Sequence, residues 1–183
     1  MKTAISLFTA AFLAWLALSE VEGLALSDVE GLALSEVEGA AAAEPSAFAK
    51  WTAAELRTRD AALSKKVGAD HSARETLADY GDHRFRLLYR DADGFPEQHD
   101  NIVDVVIVQS GEGTLLLGGK MVDARATGGK GEYVGSRIEG GARHALGPGD
   151  VVHVPATIPH SFLVPAGKHI TYVLVKFPAP YAR

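Results

Sequence analysis

From Arg84 onward the chain is a succession of short β-branched, aliphatic and aromatic runs cut by glycine and proline, and this texture limits the fold more than any other feature. The runs are RFRLLYR at 84–90, VDVVIVQ at 103–109, TLLLG at 114–118, DVVHVP at 150–155, HSFLV at 160–164 and ITYVLVKF at 170–177. Segments this short, bounded by turn residues, read as strands of an all-β sandwich or barrel. Gly111-Glu112-Gly113 reads as a tight hairpin turn between two of them, because glycine tolerates the positive φ such turns need. Gly147-Pro148-Gly149-Asp150 reads the same way before the next strand. The glycine-rich stretch 119–141 reads as a long loop carrying one short strand, placed to shape a pocket mouth.

Upstream of the strands, Thr52-Ala53-Ala54-Glu55 is a capping-box pattern in which hydroxyl and carboxylate satisfy free N–H groups at a helix start. It predicts a helix over 53–66, ended near Gly68. Earlier still, Lys2 and the apolar run Ala4–Leu18 form the charged and hydrophobic regions of a secretory signal, too short for a spanning helix. The octad LALSEVEG at 16–23 recurs as LALSDVEG at 24–31 and LALSEVEG at 32–39, a repeat far shorter than a solenoid unit. Ala41 and Ala43 supply an A-x-A cleavage pattern, so the leader is expected to be removed with the octads near Ala43 and the protein exported to the periplasm or beyond. The resulting organisation is a leader over 1–43, a helical segment over 44–79 and a β-barrel over 80–183.

A chain of 183 residues, 47% apolar, supports one core rather than two. Its formal charge of −5 lies in the leader, where Lys2 faces six acids, whereas residues 44–183 hold 17 Lys/Arg against 17 Asp/Glu. A balanced barrel lacks the basic footprint that nucleic acid or an anionic membrane requires, so neither is an expected partner. With no cysteine, any metal must be held by nitrogen and oxygen.

Two blocks of sequence resemble the cupin superfamily of small jelly-roll barrels. Its second motif is a Gly, five residues, a Pro, one residue, a Gly, two residues and a His. Gly149 to His160 matches this through Pro155, with Thr157 standing at the second glycine. The first motif runs His-x-His, three or four residues, Glu, six residues, Gly. Here Glu97-Gln98-His99, four residues, Asp104, six residues and Gly111 keep the spacing while Glu97 replaces the first His and Asp104 the Glu. The resemblance, to a single-domain monocupin of the conserved-barrel type, implies an all-β jelly-roll barrel with a short N-terminal helix behind a signal peptide. It also implies one divalent metal held by Glu97, His99, Asp104 and His160.

The residues are compatible with that implication. Positions 97 and 99 lie two apart on a strand and face the same way. Two imidazoles and two carboxylates suit Mn, Fe, Zn, Ni or Co rather than Cu(I). A lone carboxylate opening the VVIV run after Asp104 would be costly to bury unpaired. His153 and His144 read as surface or packing residues, and His71, His83 and His169 have no convergent partner in the sequence. Arg84, Arg86, Arg137, Lys176 and Tyr172 could each face an anionic ligand, without one being distinguished.

Three functional classes follow, and no catalytic residue is assigned. The first is a small-molecule metalloenzyme of dioxygenase, isomerase or epimerase type, as the resemblance implies. The second is a non-catalytic module binding a small ligand in the barrel, favoured by the altered first motif. The third is a metal-free structural barrel. A homodimer is expected, with the helix at 53–66 contributing to the contact.

Overall fold

Residues 43–179 are described by the computed structural model of the chain, so the leader and its octads lie almost wholly outside the described residues. Among the described residues one helix, α1 (Ala53–Leu63), precedes thirteen strands. These are β1 (Ser72–Asp79), β2 (Arg84–Arg90), β3 (Glu97–His99), β4 (Ile102–Gly111), β5 (Gly113–Leu117), β6 (Lys120–Val122) and β7 (Arg125–Ala126). After them come β8 (Glu132–Val134), β9 (Arg137–Glu139), β10 (Ala142–Leu146), β11 (Val151–Val154), β12 (His160–Leu163) and β13 (Ile170–Pro178). The order in the first sheet is β1-β2-β13-β4-β11, in the second β10-β5-β12-β3-β8-β7, with β6 and β9 paired separately. All pairings are antiparallel, giving a jelly roll closed around one core.

That core is built by residues two apart. On β4 Asp104, Val106 and Val108 are buried, and on β13 Tyr172 and Leu174 pack beside Val106, Val108, Leu115, Leu146, Val154 and Phe162. The opposite face of the first sheet is covered too. Leu56 and Leu63, seven apart on α1 and so on one face, pack against Ala73, Leu87 and Val173, with Trp51, Phe85 and Tyr89 around them. Burying about five aliphatic side chains there is worth several kcal/mol. Asp60 on α1 fixes the docking: its Oδ1 accepts from the Thr171 hydroxyl at 2.7 Å and its Oδ2 from Ser110 at 2.6 Å.

The Thr52–Glu55 capping box forms as expected. The helix ends sooner than expected, at a Ser64 cap whose N–H bonds Asp60 O, because the next residues turn toward β1. β1 itself lies inside the segment read as helical, in a stretch, SARETLAD, with few strand-favouring residues. It forms because β2 supplies its hydrogen bonds.

Two other expectations are corrected. Gly111–Gly113 does not close a hairpin: β4 belongs to the first sheet and β5 to the second, and Gly147–Asp150 likewise carries the chain from β10 across to β11. Gly111 is nonetheless required, since at φ 73° a Cβ there would sit 2.0 Å from His169 O. The glycine-rich stretch holds four short strands, β6 to β9, rather than one. Among the described residues no helix is long and apolar enough to cross a membrane.

Candidate metal centre

Strand register brings the four motif residues together. Glu97 and His99 project from the same face of β3, and His160, the first residue of β12, is the cross-strand partner of Glu97. Asp104 enters from β4, where its partners are Val154 on one side and Lys176 of β13 on the other. His99, Asp104 and His160 are buried and Glu97 is half-buried. Ligating atoms of Glu97, His99 and His160 all lie within 4.8 Å of one another. Asp104 Oδ2 is 3.5 Å from His99 Nε2 and 3.6 Å from His160 Nε2, and Glu97 Oε2 is 3.6 Å from His99 Nε2.

The outer nitrogens fix which face of each ring looks inward. His99 Nδ1 lies 2.6 Å from Glu132 Oε2 and His160 Nδ1 lies 3.1 Å from the Ile158 carbonyl. Both neighbours are acceptors, so each neutral ring keeps its proton on Nδ1 and turns the Nε2 lone pair toward Asp104. The centre is therefore lined by acceptors, and Asp104 Oδ1 is buried there without a hydrogen bond. A cluster of lone pairs and carboxylates out of water calls for a cation.

The chain offers one. Lys176 Nζ lies 2.7 Å from His99 Nε2 and 3.2 Å from Asp104 Oδ1. Burial by itself would raise the Asp104 pKa, but the adjoining His160 and His99 imidazoles and the Lys176 charge outweigh it, holding the carboxyl well below its usual range. His99 is shifted upward. Burial opposes its charged form, as does Lys176, while Asp104 and Glu132 together prevail.

Two hollows meet the centre. An open cleft of about 420 Å³ is bounded by Arg84, Arg86, Glu97, His99, Glu132, Tyr133 and Lys176, and is a usual size for a small-molecule site. Behind the centre a space of about 30 Å³ is enclosed by Arg90, Asp104, His160, Phe162 and Tyr172. Burial pushes the pKa of the Tyr172 hydroxyl up to about 12, against the opposing pull of Arg90.

The remaining sequence candidates separate clearly. Arg84, Arg86 and Lys176 reach the cleft, whereas Arg137 is exposed on β9 beside Glu139. His144 and His153 are exposed. His71 pairs with Asp91, His83 with Asp82, and His169 stacks on Tyr89. Glu132 was not anticipated: it stands 33 residues from His99 in the glycine-rich stretch, and only the β3–β8 register reveals their pairing.

No family profile matches this sequence, and no curated protein does. Similar solved structures include a cupin 2 conserved barrel domain protein from Rhodopseudomonas palustris, 21% identical over 61% of this chain and 68% of that one, with a TM-score of 0.42. The fold is an antiparallel jelly roll. The polyketide cyclase RemF from Streptomyces resistomycificus is 18% identical over 63% of this chain and 70% of its own, with a TM-score of 0.42. The TT1209 protein from Thermus thermophilus is 15% identical over 64% of this chain and 95% of its own, with a TM-score of 0.45.

Proposed function

We propose that this cupin-fold protein is exported after loss of its leader and binds one divalent transition metal through Glu97, His99, Asp104 and His160, acting on a small molecule held in the open cleft. The observation that carries the reading is the pair of imidazoles whose Nδ1 atoms are engaged by Glu132 and Ile158 O while both Nε2 atoms face Asp104. When bound, the metal would supply Lewis acidity toward a substrate oxygen. The chain's own residues orient the ligands, exclude water from the Asp104 side and leave the Glu97 side open to the cleft. Dioxygenation, isomerisation and epimerisation are the reaction types the resemblance implies for it.

The test is elemental analysis of the full chain purified without chelator, beside folded His99→Ala, His160→Ala and Glu132→Gln proteins. About one equivalent of metal is expected, lost in both histidine variants, with affinity lowered about 10- to 100-fold in Glu132→Gln because the ring loses its orienting partner. An unmetallated chain, even after reloading with Mn, Fe, Zn, Ni and Co, would overturn the proposal. A second reading has its own observation: Lys176 already supplies a cation to His99 and Asp104, which favours a metal-free ligand-binding barrel. That reading predicts ligand-dependent thermal stabilisation without turnover.

A further inference from the structure

On β2, Arg84, Arg86 and Arg90 share the face of Leu88, which packs in the barrel core, while Phe85, Leu87 and Tyr89 turn outward under the helix. Two of these arginines have evident neighbours. Arg84 Nε donates to Asp79 Oδ2 at 2.7 Å, and Arg90, whose Nε is buried without a hydrogen bond, lies beside Tyr172 at the enclosed space and not at the open cleft. Arg86 is half-buried, borders the open cleft with Glu97, His99 and Lys176, and its guanidinium makes no hydrogen bond or ion pair among the described residues. Burial first, then the charges of Arg84 and Arg74, disfavour its positive form, and Asp79 and Asp104 do not make up the difference.

The cleft's acids are directed elsewhere. Glu132 holds His99, Asp82 is exposed beside His83, and Glu97 faces His99. A half-buried guanidinium lacking a counter-charge is expensive, and a planar carboxylate is the partner that satisfies two of its donors at once.

We propose that the cleft recognises a carboxylate-bearing small molecule, with Arg86 as the anion contact and Lys176 as its neighbour. This names the substrate class for the site proposed above, although the Arg86 contact itself does not require a metal. His99 Nε2 has a single lone pair, so a metal ion held there would take the place of the Lys176 ammonium that now occupies it. Lys176, at the cleft edge, would then be available as a second donor to the same anion.

The test is calorimetric titration of the full chain, metal-loaded and chelator-treated, with acetate, malonate and succinate. Malonamide serves as the uncharged control and inorganic phosphate as the tetrahedral one. At least one carboxylate should bind, more tightly than phosphate or malonamide, and Arg86→Gln should weaken it tenfold or more. Arg86→Lys, which keeps charge but loses the fork, should fall between. The melting temperature of ligand-free Arg86→Gln should equal or exceed that of the parent, since no native bond is removed. The proposal is overturned if no carboxylate binds, if malonamide or phosphate equals the best of them, or if Arg86→Gln binds it unchanged. A fall of several degrees in the variant's melting temperature would also overturn it, by making Arg86 structural. Metal content measured on the same samples keeps the two proposals separate. Arg86-dependent carboxylate binding by a chain that takes no metal sinks only the metal centre, and a metallated chain indifferent to Arg86 sinks only this one.

Discussion

Thr157 carries the backbone strain nearest the candidate centre, and relieving it should stabilise the fold. Its φ is 68°, in the left-handed region, where a β-branched residue is least at ease and where the cupin motif has glycine. The conformation is held because Thr157 N–H donates to His99 O at 2.7 Å, tying the loop before β12 to β3. The side chain is exposed, so removing it sacrifices no burial. Left-handed geometry costs an L-residue about 1–2 kcal/mol, and introducing glycine costs about 0.5–1 kcal/mol in unfolded-state entropy. Thr157→Gly should therefore gain about 0.5–1 kcal/mol, which for a domain of this size raises the melting temperature by about 1.5–3 °C. Thr157→Ala keeps the Cβ and should gain less than half of that. Thermal unfolding followed by circular dichroism in chelator measures both. A glycine variant melting at or below the parent, or an alanine variant equal to it, would refute the strain argument.

Two further outcomes follow from the buried polar contacts. Asp60→Ala removes both oxygens that tie α1 to Ser110 and Thr171 and leaves a fully buried hydroxyl without its partner, so it should cost about 2–4 kcal/mol. The corresponding fall of about 6–12 °C is readable by the same melt, and a fall under about 1 °C would show the tie to be dispensable. Asp104 is held below its usual pKa, so its ionised form contributes stability that is present above the unfolded carboxyl value of about 4 and is lost as the pH falls further. Chelator-treated Asp104→Asn should show a flatter stability profile below about pH 4 than the parent, and identical slopes would remove Asp104 from the acid response.

The strands were legible wherever one residue in two had to be apolar. RFRLLYR matches β2 end to end, and the other five runs each fall on a strand, because in-plane alternation is a local property. Which face of β2 looks inward was not legible. Both faces are covered, one by the core and one by α1, so the apolar residues mark the helix side and the arginines mark the interior. Sheet membership failed for a related reason. Gly111–Gly113 has the local chemistry of a hairpin, yet whether β5 pairs with β4 or with β10 and β12 is decided by core closure, which leaves no trace in three residues. The Glu97–His99 pair and the Gly149–His160 block were readable because spacing along one strand or one motif sets them. Glu132 and the Lys176–Asp104 contact arise from registers between strands distant in sequence. Even so, Lys176 left a signal: it sits two residues beyond Leu174 and four beyond Tyr172, in phase with side chains that face the core. A cation placed in that phase has to meet an acceptor inside, and the acceptors available to it are the ones the two motifs converge on.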